Sequence, residues 1–306
     1  MRPLNPRQIE AFRAVVLTGT VGAAANLINV TQPAVSRMLR DLQQHLELTL
    51  FERRGTGLVP TSEALSLYAE VERAFVGLDR ISQMATELRT RRAGFLRIAA
   101  LPALANGFLP RFVGRFLAER PRLDIVLSGL VSHAVLASVA QGQCDLGFAE
   151  ASMEHATVRR ETMPVAPYVA VLPDDHRLAR KKRLRAKDFE GESFISLGPN
   201  SLSRFRIDRV FAEHGVTRVM RIETPLSEIA CALAGSGAGV ALCEPFTATE
   251  YATRGIVARP FEPRIDFEFA ALYPAHRSVS PVAREFIDGF KAHVAAFLRR
   301  GAWRQG

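Results

Sequence analysis

Very little in this sequence points to catalysis, to a redox centre or to a membrane. The three cysteines, Cys144, Cys231 and Cys243, are an odd number without metal-type spacing. They read as reduced, buried thiols in a cytosolic protein. A redox pair of Cys231 and Cys243 is the alternative, but nothing marks either thiol as activated. The seven histidines show no pairing with Ser, Cys or Asp that suggests a triad or a metal site. Catalytic residues, metal and cofactor are therefore all expected to be absent. No apolar run approaches membrane-spanning length, and Met1-Arg2-Pro3 does not begin a signal peptide. The chain reads as cytoplasmic, without a membrane partner. One run, Gly235-Ser236-Gly237-Ala238-Gly239, imitates a dinucleotide-binding loop. It lies after a helix and before a strand, the reverse of the order a pyrophosphate site needs, and reads as a turn.

What is present describes a globular protein with an anionic partner. The 306 residues suffice for two or three compact units. Hydrophobic residues make up 48% and charged residues 23%, which excludes disorder. A net charge of +9 favours nucleic acid or another anionic surface, and charge alone does not choose between them. The basic run Arg180-Lys181-Lys182-Arg183-Leu184-Arg185 reads as an exposed, solvated loop rather than a DNA contact.

The most informative stretch is Ala23 to Leu50. Ala23, Ala24, Ala25 and Leu27 favour helix, and Asn29-Val30 interrupts them. Thr31 stands at an N-cap position, with Gln32 and Pro33 in the first turn of a second helix. Val35, Leu39, Leu42 and Leu46 recur at helical spacing and define its buried face, leaving Ser36, Arg37 and Arg40 off the stripe. Two short helices so joined, the second presenting Gln, Ser and Arg, form a helix-turn-helix pattern. Gln suits adenine edges, Arg suits guanine, and Ser suits base or phosphate. An ordinary helical hairpin with a solvated face is the competing reading. Phe51 to Thr61 then reads as strand, glycine-containing turn and strand, a wing with Arg53 and Arg54 at its bend. Arginines there suit phosphates or a narrow minor groove. An earlier helix, Asn5-Pro6 to Leu17, packs through Ile9, Phe12 and Val16, is ended by Gly19, and is followed by a Thr20 cap.

The run Gln8-Ile9-Glu10-Ala11-Phe12, through Ala23-Ala24-Ala25, Thr31-Gln32-Pro33-Ala34-Val35-Ser36, Leu50-Phe51-Glu52-Arg53 and Pro60-Thr61, resembles the N-terminal domain of LysR-type transcriptional regulators. Gly77-Leu78-Asp79-Arg80-Ile81, Gly191 to Leu197 and Glu223-Thr224 resemble the branch that holds the diaminopimelate-responsive lysine-biosynthesis regulator and the opine-responsive regulators. The resemblance implies promoter DNA as partner, a small-molecule effector, dimers assembling into tetramers, and contact with RNA polymerase. It implies a DNA-binding set of Thr31, Gln32, Pro33, Ser36, Arg37, Arg40, Arg53 and Arg54.

Thr61-Ser62-Glu63 opens a helix running to about Arg89. Its apolar positions, Ala64, Leu67, Val71, Ala74, Leu78, Ile81, Ala85 and Leu88, step by three and four, the pattern of a coiled-coil seam between protomers. A helix lying on its own domain would need a broader stripe. Arg89 to Gly94 reads as a basic hinge. Domains are expected at 1–60 (winged helix-turn-helix), 61–91 (dimerisation helix and hinge) and 92–306.

Beyond the hinge, strands alternate with helices, which implies parallel sheets covered on both faces and an α/β class overall. Two crossings are expected between a lobe I, about 92–163 and 269–306, and a lobe II, about 164–268. Such a module resembles periplasmic binding proteins. Ligands in open α/β sheets bind beyond strand C-termini, near helix N-termini. Three loops are placed there: Leu101-Pro102-Ala103-Leu104, Gly198 to Ser203, and Thr224-Pro225-Leu226-Ser227. Pro102, Ala103, Leu104, Asn200, Ser201, Ser203 and Thr224 are the candidates, with Glu150 and Glu244 as anions in the same cleft. For any one of them, a helix cap or a solvated loop residue is the blander reading. Ala103 departs from the Ser or Thr that the resemblance leads one to expect, removing a donor. Amide and hydroxyl donors opposite a carboxylate would match a zwitterionic or cationic amino acid, diaminopimelate or an opine. An unrelated small carboxylate, an uncoupled solute-binding module, and an enzyme acting on an amino-acid-like substrate are the rivals.

Overall fold

The computed structural model describes residues 3–54, 57–90, 94–199, 201–301 and 303. They form two compact units, 1–89 and 90–306.

In the first unit, helix α1 (Pro6–Thr18) begins where the Asn5 side chain accepts the Arg7 amide at 3.0 Å. It ends at Gly19, whose φ of +72° is left-handed backbone that glycine adopts without steric cost. Thr20 caps α2 (Val21–Leu27) by accepting from the Ala23 amide. After Asn29, which also takes left-handed backbone, comes α3 (Gln32–Leu46). Val35, Leu39 and Leu42 are buried against Phe12, Val15 and Ala25. Strands β1 (Phe51–Arg54) and β2 (Gly57–Pro60) pair antiparallel as the wing. Two contacts aim it: the Gln43 side chain accepts from the Leu50 and Phe51 amides, and the Leu58 amide donates to the Gly19 carbonyl.

Helix α4 (Ser62–Thr90) follows, with Thr61 accepting from the Ala64 amide. Its first turns are packed on their own unit. Ala64 and Val71 are buried in the same core as Phe12 and Leu50, and Leu67, Tyr68 and Phe75 pack against that core. Arg13 of α1 pairs with Glu72 at 2.5 Å and lies over the Phe75 ring. Val71, expected in a seam between protomers, is therefore an intramolecular core residue. The reason is that the heptad and the packing stripe overlap over the first three turns. Farther along, Ala74, Leu78, Ile81 and Ala85 are exposed, Leu78 by 55% and Ile81 by 67%. The Leu88 side chain and residues 91–93 of the expected hinge lie outside the described residues.

The second unit opens with β3 (Gly94–Ala100), α5 (Pro102–Ala105), α6 (Phe108–Ala118), β4 (Leu123–Gly129), α7 (Ser132–Ala140), β5 (Leu146–Glu150) and β6 (Val158–Thr162). The chain crosses to lobe II at β7 (Ala166–Pro167). It continues through β8 (Val169–Pro173), β9 (Leu184–Arg185), β10 (Ser193–Leu197), α8 (Leu202–Glu213), β11 (Val219–Thr224), α9 (Ser227–Gly235), β12 (Ala241–Cys243), α10 (Pro245–Tyr251) and β13 (Ile256–Glu262). It returns at β14 (Asp266–Phe267) and finishes with β15 (Phe269–Pro274) and α11 (Pro281–Arg300). The crossing strands β7 and β14 pair with each other, antiparallel.

The sheets are mixed rather than parallel. Lobe I orders its strands β4-β3-β5-β15-β6, with the first three parallel and β15 antiparallel to both of its neighbours, β5 and β6. Lobe II has an order β12-β8-β13-β9, antiparallel except for β9 on β13, beside a parallel β10-β11 pair. A strand that enters from the other lobe needs no local crossover helix, so it can lie antiparallel. β6, α10 and β13 are further elements with no counterpart in the alternation pattern of the sequence. Gly235 and Gly239 are required by packing: a Cβ would meet the Arg254 carbonyl oxygen at 2.5 Å and the Ser193 carbonyl oxygen at 2.4 Å. The run Gly235–Gly239 joins α9 to β12 and makes no phosphate loop.

One apolar core runs through both lobes. Phe108 of α6 packs tilted against Phe246 of α10 with ring centroids 4.6 Å apart, and Phe269 and Phe297 close the cluster.

Candidate DNA interface and effector cleft

In α3 the buried stripe fixes which side chains face outward. Thr31, Gln32, Pro33, Arg37 and Arg40 are exposed and Ser36 is half-buried. Positions 33, 36, 37 and 40 share one face by helical spacing. Thr31 occupies the cap position, but its side chain makes no capping bond, and Pro33 fills the first turn. The Gln32 amide lies over Gly22, where a Cβ would approach it to 2.9 Å. Arg37 is 82% exposed and only 3.9 Å from Asp41, a loose contact that leaves the guanidinium able to reach a base. Arg53 is exposed on the wing; the Arg54 side chain lies outside the described residues.

The second unit carries a cleft of about 360 Å³ between its lobes. The three loops meet there. Pro102, Ala103, Ser201, Ser203, Pro225, Leu226 and Ser227 line it, together with Glu150 and Glu244. Leu104 does not; it is fully buried in the core, because the short helix α5 turns it inward. Thr224 is buried too, accepting from the Leu226 amide at 3.4 Å, so it shapes the loop rather than lining the cavity. Asn200 lies outside the described residues. Sequence reasoning missed Val131, Ser132, His133, Met153, Tyr168 and Phe267, which also line the cleft. Val131 and Ser132 follow β4 just as Pro102 follows β3, so the same strand-end rule could have found them. Nothing local marked Tyr168, which arrives through the crossing.

Helices α7, α8 and α9 all begin on this cleft. Val131 and Leu226, at the caps of α7 and α9, provide no side-chain acceptor. First-turn amides therefore face the cavity and favour an anion. Two carboxyl groups stand in the same cavity. Burial raises the Glu150 carboxyl, with the Arg206 guanidinium opposing the shift. Glu244 is 1% exposed, and burial pushes its carboxyl up to about 7 against hydrogen bonds from Thr247 and Ser227. The Ser227 hydroxyl donates to Glu244 at 2.7 Å, and the Thr247 hydroxyl donates to its other oxygen. The cleft can thus accept a ligand with both an anionic and a cationic group.

Two sequence families match this chain. Residues 6–65 fit the bacterial regulatory helix-turn-helix protein, lysR family, and residues 89–295 fit the LysR substrate binding domain. The chain belongs to the LysR family. It is a DNA-binding transcriptional regulator, and its relatives are regulators rather than enzymes. It is 42% identical to the octopine catabolism/uptake operon regulatory protein OccR of Rhizobium meliloti over 97% of this chain and 99% of that protein. It is 39% identical to the regulatory protein NocR of Agrobacterium fabrum, covering 94% and 98%. With the transcriptional activator protein LysR of Escherichia coli it shares 37%, covering 97% and 94%. Its fold is similar to that of full-length CbnR complexed with its target DNA, with a TM-score of 0.77 at 18% identity over 97% of this chain and 99% of that one. In this LysR-family chain the cysteines are buried. The Cys243 thiol is held well above its ordinary value, first by its hydrogen bond with Cys231 and then by burial, which leaves it poorly nucleophilic. In the basic run, Lys181 pairs with Asp188 and Arg183 with Glu262 at the edge of lobe II. Among the described residues no helix is long and apolar enough to cross a membrane.

Proposed function

We propose that this regulator controls a promoter in response to a basic amino acid, diaminopimelate or an opine bound in the interlobe cleft. The observation that carries the reading is the pairing, in one cavity, of Glu150 and Glu244 with the uncapped first turns of α7 and α9. A ligand carboxylate takes the amides, and its ammonium or guanidinium faces Glu150. The name of one relative, which speaks of octopine catabolism and uptake, agrees with that chemistry. Gln32, Pro33, Ser36 and Arg37 enter the major groove, with Thr31 and Arg40 flanking them, and Arg53 and Arg54 contact backbone or minor groove. The outward Ala74, Leu78, Ile81 and Ala85 of α4 pair two protomers, with Leu88 continuing the seam, so that two half-sites are read together. Effector units pair again into a tetramer in the cytoplasm. Effector binding shifts the balance between arrangements that differ in DNA bending or polymerase contact, which requires unequal affinity for the two states.

A thermal-shift screen tests the ligand. The panel is lysine, arginine, ornithine, diaminopimelate, octopine and nopaline, with plain carboxylic and aromatic acids as controls. A ligand at a hundredfold its dissociation constant adds about 2.7 kcal/mol, which moves the midpoint visibly. A response confined to the basic compounds, weakened by Glu150→Gln, supports the reading. A response to plain acids alone replaces it with a simple-carboxylate regulator. Binding without any change in footprint or transcription leaves an uncoupled solute-binding module.

A further inference from the structure

Tyr168 stands just after the first crossing strand, at 2% exposure, with its ring edge-on to Phe267 of the second crossing. Its hydroxyl donates to Ser203 Oγ, in the first turn of α8. Ser203 is itself 8% exposed and lines the cleft. The direction of that hydrogen bond follows from burial. Were Ser203 to donate instead, the phenolic hydrogen would need another acceptor, and the described residues provide Tyr168 with none by hydrogen bond. An unmade bond at a buried donor costs the full desolvation of the group. Ser203, by contrast, opens on the cavity and can direct its hydrogen there. The phenol also stays protonated, since burial holds it well above its ordinary value. The Ser203 amide is satisfied by Ser201 Oγ at 3.2 Å, so the hydroxyl of Ser201 likewise has its hydrogen to spare.

We infer that Tyr168 is a positioning residue for the effector: by donating to Ser203 it turns the Ser203 hydroxyl hydrogen into the cleft and makes that wall a seat for the ligand's carboxylate. The inference rests on the reading of the cleft as an effector site and adds a polarity to it. The acceptor end of the ligand faces Ser203, and the cationic end faces Glu150. It also accounts for a tyrosine that no local motif marks. A phenylalanine would fill the same space, but Ser203 would then be free to rotate and to accept rather than donate. The same hydroxyl ties the α8 turn to the crossing between lobes, so a ligand held by Ser203 pulls on the segment that joins them.

The test is calorimetric titration of the full-length protein with octopine, L-arginine and L-argininamide. The amide keeps the guanidinium and loses the carboxylate. Wild type, Tyr168→Phe, Ser203→Ala and the double variant are compared, with Ser203→Thr as the conservative replacement. Tyr168→Phe and Ser203→Ala are each expected to weaken octopine or arginine roughly tenfold, as for one charge-assisted hydrogen bond. The double variant is expected to be no weaker than Ser203→Ala, because Tyr168 acts through Ser203. Argininamide affinity should not change, and Ser203→Thr should restore binding of the acids. Equal losses for acid and amide, additive losses, or wild-type behaviour of Tyr168→Phe overturn the inference while leaving the effector reading intact. If none of the three probes binds the wild-type protein, this inference falls, and the effector reading is then decided by lysine, ornithine and diaminopimelate in the thermal-shift screen.

Discussion

Phe108 of lobe I and Phe246 of lobe II lie with their ring centroids 4.6 Å apart, inside a single core that passes between the lobes. Both rings are almost fully buried. The lobes are therefore not two beads on a hinge, and separating them would expose aromatic surface. Phe246→Ala removes a ring from the junction and should destabilise the effector unit by about 3–5 kcal/mol. Calorimetry should show wild-type residues 90–306 melting in one transition. Two well-separated transitions would mean that the junction does not couple the lobes.

Glu244 makes the stability of the effector unit depend on pH. Its carboxyl sits at about 7 in the folded protein against an ordinary value of 4.5, because burial disfavours the anion. The folded state therefore holds a proton that the unfolded state releases. Its contribution is fully present below the unfolded value and is lost as pH rises through the folded one. The shift corresponds to a contribution on the order of 3 kcal/mol. Melting temperatures should fall between about pH 4.5 and 7 in wild type, and Glu244→Gln should flatten that slope. An unchanged slope in the variant would assign the dependence to other groups.

On the DNA side, Arg37 is exposed and only loosely paired. Arg37→Ala should cost about 1–3 kcal/mol at the specific site and relax base preference at one position. Binding to a series of single-base operator variants distinguishes the roles. A uniform loss across all of them indicates a phosphate contact instead.

The two halves of the α4 stripe should respond differently. Leu78→Glu with Ile81→Glu places charges on an exposed surface, so the fold should survive while the dimer weakens, as read by sedimentation. Val71→Ala hollows the core of the DNA-binding unit and should cost about 2 kcal/mol there without changing stoichiometry. A monomeric Val71→Ala protein that keeps its melting temperature would return Val71 to the seam.

Much of the fold was legible because its signals are local. The caps at Asn5 and Thr20, the turn at Gly19, and the Val35–Leu39–Leu42 stripe depend on neighbours a few residues away, so their meaning survives without tertiary context. The loops that line the cleft were legible for a related reason: strand-end loops in α/β sheets have a general geometric role, whatever the fold around them. Other features depended on which parts of the chain come together. Whether Val71 faces its own unit or a partner, whether β15 runs parallel or antiparallel, and whether Leu104 lines the cavity or the core all depend on distant segments. Tyr168 is the clearest case. By itself the sequence determined that position 168 carries a large ring with a hydroxyl. Only the crossing of the lobes decided that this hydroxyl meets Ser203, because the 35-residue gap between them is closed by packing and not by any local preference.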